Sequence, residues 1–212
     1  MRIGRFRADG ADRIGSFDGE EILDVTPAFD SFTDALSRPD AAAGDAGDRF
    51  DPGEVTYLPP TTDRNSVFCA ALNYRKHAEE SGRSVPDRPY LFQKLPRSLV
   101  GHGEPISYHS TETDEIDYEG ELACVVGQSC RHVSADDALE YVAGYTVLND
   151  VSARELQLSF SYGNEDMVDW FAGKAMQSTT PIGPFVVCND IADPQHLSIA
   201  SLLNGTPIQD ES

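Results

Sequence analysis

Lysine is nearly missing from this chain: Lys76, Lys94 and Lys174 are the only three among 212 residues, and all other side-chain positive charge is arginine or histidine. Acidic residues outnumber Lys plus Arg by 36 to 16, a net charge of −20 at pH 7. A field of that sign repels phosphate backbones and anionic lipid, so nucleic-acid binding and membrane attachment are not expected. It suits a solvated carboxylate surface of halophilic type, where dissolved salt screens the self-repulsion. With so few strongly hydrated ammonium groups, each lysine is worth locating.

CxxC spacing is also missing. Cys69, Cys124, Cys130 and Cys188 stand apart, and three of them lie in the apolar runs "VFCAAL", "LACVVG" and "FVVCND", predicted as buried, reduced core thiols. No apolar run approaches the length of a membrane span, and Met1 leads straight into "RIGRFR" without an apolar leader. A soluble, cytoplasmic protein is expected. Hydrophobic residues at 40% and charged residues at 25% are ordinary for a globular chain, and the length suits one large domain with a small appendage.

Apolar and polar residues alternate in "RIGRFRA", "RIGSFDG" and "EILDV", which predicts a small N-terminal β-unit. The Ala-, Gly- and Asp-rich "SRPDAAAGDAGDRFDPGE" reads as a solvated acidic connector, so residues 1–60 are set apart from a main domain over 61–212. Within that domain "VFCAAL" reads as a buried strand, "PYLFQK" and "PIGPFVVC" as further strands, and "DYEGELACVVG" as one long strand. Ser134 is predicted to cap a helix that gives way at Gly144 to a strand ending at Asp150. Asn204-Gly205 is a hairpin signal. Strands dominate, so the fold class is α+β with a mixed β-core.

On an extended "EIDYEGELACVV" the side chains of Asp117, Glu119 and Glu121 share one face. Three dry carboxylates would repel one another, so a divalent cation or water is required there. In a chain this acidic such alternation also arises on a solvated edge strand. In "NYRKHAEE" one helical turn brings His77 and Glu80 to one face, the pairing of a general base with its orienting carboxylate, or of a surface ion pair. Asp150 stands at a strand end, where it serves a site or caps a helix, and Arg154 and Gln157 follow one turn apart. Lys174 sits in a Gly-flanked, weakly polar setting where an ammonium meets an oxyanion.

The ordered motifs "ALNYRKHAEE", "PYLFQKLPRSLVG", "IDYEGELACVVG", "YVAGYTVLNDVSARELQ", "GKAMQSTTPIGPFVV" and "LLNGTPIQ", over roughly residues 55 to 209, resemble the fumarylacetoacetate hydrolase family. The resemblance implies a rolled mixed β-sheet, usually in a homodimer, and a metal-dependent enzyme of small 2-oxo or 1,3-dioxo acids. It implies Glu119, Glu121 and Asp150 as ligands of Mg²⁺ or Mn²⁺, His77 and Glu80 as a catalytic dyad, and Lys174 as the group that meets the substrate oxygen. Arg154, Gln157 and Tyr74 would line the substrate, and Asp117 has no ligand role. Reactions implied are C–C hydrolysis of acylpyruvate type or decarboxylation, with isomerisation or dehydration of 2-oxo acids as alternatives. An inactive metal-binding remnant and an acidic nucleic-acid mimic are the rival readings. Gln177 replaces a common Asp, and the family's further strands and "TGTP"-type loop would lie beyond Ser212, so the domain is expected to be incomplete at its C-terminus.

Overall fold

The computed structural model describes residues 1–44, 47–62, 64–75, 82, 84, 86–109, 113–162 and 165–211. It is mostly sheet with few helices. In chain order the strands are β1 (Arg2–Ala8), β2 (Ala11–Phe17), β3 (Ile22–Asp24), β4 (Arg49–Phe50), β5 (Thr56–Leu58), β6 (Val67–Ala71), β7 (Tyr90–Lys94), β8 (Leu99–Val100) and β9 (Ile116–Asp117). They continue as β10 (Gly120–Val126), β11 (Val142–Asn149), β12 (Ser152–Ala153), β13 (Ser161–Tyr162), β14 (Glu165–Asp166), β15 (Thr180–Pro181), β16 (Phe185–Val187), β17 (Ile199–Leu203) and β18 (Thr206–Glu211). Among the described residues three short α-helices join them: α1 (Phe32–Ser37), α2 (Arg154–Leu158) and α3 (Trp170–Lys174).

The N-terminal alternation forms antiparallel strands. Asp9 and Gly10 both take positive φ, at 52° and 75°, as a tight two-residue turn between β1 and β2 requires. Period-2 alternation then places Ile3 and Phe6 on opposite faces of β1, and both are fully buried. Ile3 joins Ile14, Val25, Phe32, Leu36 and Val186 on one side, while Phe6 joins Phe17 and Ile22 on the other. Each such side chain contributes on the order of 1.5–3 kcal/mol by burial.

The main sheet runs β10-β11-β16-β1-β2-β3-β4, with β5 also on β1. Because β1 pairs with β16, the N-terminal strands and the strands carrying the candidate site share one sheet. Outside it lie the pairs β6–β7, β9–β12, β13–β14 and β17–β18, and the parallel pair β8–β15.

Four local expectations differ from the structure. The connector contributes to the core: a 3₁₀ turn at Pro39–Ala43 buries Pro39 and Ala42, the small side chain fitting against the sheet. The segment after Ser134 makes only a 3₁₀ turn at Ala138–Tyr141, followed at once by β11 at Val142 in register with β10. β6 is half-exposed, with Phe68 66% accessible, since it pairs only with β7. Of the three cysteines predicted for the core, Cys188 is buried, but Cys69 is half-buried and Cys124 exposed, as β10 is the edge of its sheet. All four thiols are free.

Candidate active site

The long acidic strand is broken. β9 pairs through Asp117 with Ser152, and β10 starts at Gly120 opposite Asn149, so Tyr118 and Glu119 span the step between two ladders. One backbone and one side-chain hydrogen bond fix that step: the Asp150 N–H donates to the Glu119 carbonyl at 2.8 Å, and the Glu119 N–H donates to Asn149 Oδ1 at 3.0 Å. Residues thirty-one apart in sequence are thereby held side by side, and Asp150 is buried at this junction instead of capping a helix.

α3 delivers the lysine. Its N-cap Asp169 accepts from the Ala172 N–H at 2.9 Å, and Lys174 is its last residue. Gly173 lets α3 lie against α2, because a Cβ there would come within 2.5 Å of the Gln157 Cβ. Lys174 is thus carried into the interior at 2% exposure. Its Nζ lies 2.6 Å from Glu119 Oε2 and 2.8 Å from Asp150 Oδ2. The Phe92 and Trp170 rings, stacked at 4.5 Å, face the ammonium at 5.0 and 5.8 Å.

Arg154 closes the other side of Glu119. Its guanidinium meets Glu119 Oε1 at 2.5 Å, Asp117 Oδ2 at 2.9 Å and Gln157 Oε1 at 2.9 Å. Burial lowers the Arg154 pKa, and the charges of Glu119 and Asp117 more than offset this. Among the described residues the Asp117 side chain meets the site through Arg154. Asp117 and Glu119 thus find counter-charge within the protein, in the Arg154 guanidinium and the Lys174 ammonium.

Glu121 is the acid left over, with no ion pair among the described residues. Desolvation, and then the charges of Glu119 and Asp150, push its pKa up to about 7. The Tyr74 hydroxyl, pushed up to about 12 by burial and by Glu121, accepts from the Leu122 N–H at 3.3 Å beside it. Glu119, Glu121, Asp150, Arg154, Gln157, Tyr74 and Lys174 all line one cavity of about 840 Å³. His77 and Glu80 lie outside the described residues.

Sequence reasoning gave no role to Lys94. It is fully buried at the end of β7, with Nζ 2.8 Å from Asp150 Oδ1 and 3.2 Å from the Val151 carbonyl. Burial depresses its pKa, against the pull of Asp150. The Oδ1 contact lies off the hydrogen-bond direction, so that buried oxygen accepts no hydrogen bond from a described residue. Two signals pointed to Lys94: the scarcity of lysine, and the alternation of "YLFQK", which turns it to the same face as buried Phe92.

The chemistry of the donor set, three hard carboxylates without sulfur or imidazole, fits Mg²⁺ or Mn²⁺. The raised pKa of Glu121, caused by burial and by the charges of Glu119 and Asp150, is a feature a cation would relieve. In the arrangement seen, no group of three or more His, Cys, Asp or Glu among the described residues is set to hold an ion, and the Lys174 ammonium bridges Glu119 and Asp150 instead.

Residues 66–212 match the profile described as fumarylacetoacetate (FAA) hydrolase C-terminal, and the chain belongs to the fumarylacetoacetate hydrolase family. A fumarylacetoacetate hydrolase domain-containing protein 2 homolog of Dictyostelium discoideum is 36% identical over 94% of this chain and 70% of its own. The mitochondrial oxaloacetate tautomerase Fahd2a of Rattus norvegicus is 39% identical over 74% of this chain. This chain spans about half of that tautomerase, 48% of its length. Among solved structures, the fumarylacetoacetate hydrolase of Exiguobacterium antarcticum superposes with a TM-score of 0.82 at 34% identity, covering 99% of this chain and 74% of that one.

Proposed function

We propose that the chain is an enzyme that carries a small 2-oxo acid through an enolate, with keto–enol tautomerisation of an oxaloacetate-type acid as its reaction. The observation that carries this reading is the Lys174 ammonium between Glu119 and Asp150, next to a Glu121 that cannot hold its charge easily. Lys174 is the cation that lines the cavity in a low-polarity setting, against Phe92 and Trp170. It exchanges a carboxylate contact for the substrate's oxo oxygen and donates a hydrogen bond as negative charge develops there. Arg154, already oriented by Asp117 and Gln157, holds Glu119 in place as Lys174 shifts. His77, oriented by Glu80, takes the C3 proton; the C–H electron pair forms the C2–C3 double bond, and the oxo oxygen receives a proton. Mg²⁺ or Mn²⁺, held by Glu119, Glu121 and Asp150, supplies Lewis-acid stabilisation of the enolate when bound.

A second reading, C–C hydrolysis of an acylpyruvate-type substrate, is favoured by the cavity, whose roughly 840 Å³ far exceeds a four-carbon acid. There His77 activates water, which adds to the distal carbonyl, and the C–C bond breaks to release an enolate and a carboxylic acid.

The test follows the enol absorbance of oxaloacetate with and without Mn²⁺, coupled in parallel to detection of released pyruvate. Tautomerisation predicts accelerated enol loss without carbon release, abolished by Glu119→Gln. Folded protein that turns over neither oxaloacetate nor an acylpyruvate sinks both readings.

A further inference from the structure

Lys94 and Lys174 meet different oxygens of the same carboxylate, and of the two only Lys174 lines the cavity. Lys174 lines it, meets Asp150 Oδ2 and shares Glu119. Lys94 meets Asp150 Oδ1 from within the protein, at the end of β7, and is not among the residues lining the cavity. The two ammonium groups therefore differ in what can replace them. A ligand entering the cavity reaches Lys174, whereas Lys94 is fully buried and does not line it.

Burying an ammonium completely costs several kcal/mol unless a partner offsets it. Among described residues the polar contacts of Lys94 Nζ are Asp150 Oδ1 and the Val151 carbonyl, both at the residue pair that leaves β11 and enters β12. A salt bridge of this kind is weak evidence for stability, because an apolar pair of similar volume often serves as well. It is stronger evidence for placement, since it engages one oxygen of a site carboxylate and the backbone carbonyl next to it.

We infer that Lys94 is a positioning residue: it holds Asp150 from behind and occupies Oδ1, so that Asp150 presents Oδ2 to the cavity whatever Lys174 is doing. Lys174 is the exchangeable counter-charge of the site, and Lys94 the permanent one. The inference rests on the proposed role of Asp150, and its test separates the two.

The test measures Mn²⁺ binding to the metal-free full chain by loss of the free-ion spin-resonance signal, for the native protein, Lys94→Met, Asp150→Asn and the double variant. Lys94→Met is expected to weaken Mn²⁺ binding by about 10- to 100-fold, the range for residues that orient a metal ligand. The double variant should bind no more weakly than Asp150→Asn alone, because Lys94 acts only through Asp150. Unchanged Mn²⁺ affinity in Lys94→Met overturns the inference.

If the native chain binds no Mn²⁺, the metal reading fails by itself, and a crystal structure of Lys94→Met decides the inference. An Asp150 carboxylate turned away from Lys174 supports it, and one kept in place overturns it. Lys94→Gln is measured alongside, and takes the place of Lys94→Met should that variant not fold. If neither folds, Lys94 is a core-stability residue and the inference is overturned.

Discussion

The Lys174 ammonium neutralises two carboxylates that a single backbone hydrogen bond holds together. Replacing it with methionine leaves Glu119 and Asp150 facing each other in a buried site. Breaking a buried pair in this way costs about 3–5 kcal/mol, so Lys174→Met should show a clearly lower Tm by calorimetry as well as lost turnover. Glu119→Gln combined with Lys174→Met should recover part of that Tm.

Glu121 gives the site a pH dependence with a definite sign. Its folded pKa of about 7 lies above its ordinary value of 4.5, so the folded chain keeps a proton that the unfolded chain releases. The contribution to stability is complete below 4.5 and is lost as the pH rises through about 7. In metal-free protein the Tm should therefore fall between about pH 5 and pH 8, and Glu121→Gln should flatten that fall. Equal slopes for the two proteins would show that Glu121 is not desolvated.

At the scale of elements, the junction of β11 with β16 leaves no room for a side chain on Gly144. A Cβ on Gly144 would stand 2.3 Å from the Val187 carbonyl oxygen, a backbone atom that cannot swing aside. Gly144→Ala should destabilise the fold by about 1–3 kcal/mol, the usual cost of overpacking, read as a lower midpoint in urea with an unchanged slope. The C-terminal hairpin is held differently. Gln209 accepts from the Gly120 N–H and donates to its carbonyl at 3.0 and 3.1 Å, joining β18 to the start of β10.

Elements of short sequence range were the most legible. The alternation of β1 to β3 and the Asn204-Gly205 turn between β17 and β18 are set by neighbouring residues, and both match the structure. The Ser134 helix was not legible: Ser134 Oγ does accept from the Asp137 N–H at 3.3 Å, as a cap would, but the pairing of β10 with β11 takes over from Val142 and only a 3₁₀ turn forms between. Glu119 and Asp150 come together through ladder register, and Lys174 through the packing of Gly173 on Gln157. Neither contact leaves a periodic trace; only the ordered motifs of a family carried them. Asp117, Glu119 and Glu121 looked like one face of one strand, yet the break at Tyr118 sends them to three partners: Arg154, Lys174 and the surroundings of Tyr74.

On the scale of the whole molecule, a net charge of −20 acts against the compact state. At about 0.1 M salt the screening length is roughly 10 Å and at 1 M roughly 3 Å, so the Tm should rise with sodium chloride over that range. Dilution into low salt should destabilise the chain without altering the buried Lys174 contacts, which salt screens far less. A Tm that does not depend on salt would show that the acidic surface carries little self-repulsion.

Both described lysines are interior, at 0% and 2% exposure. Amine-acylating reagents therefore find no lysine on the described surface. On this protein such a reagent separates entry from opening, read by peptide mass: Lys174 acquires label as the reagent enters the cavity, and Lys94, which does not line it, only as the interior around β7 opens.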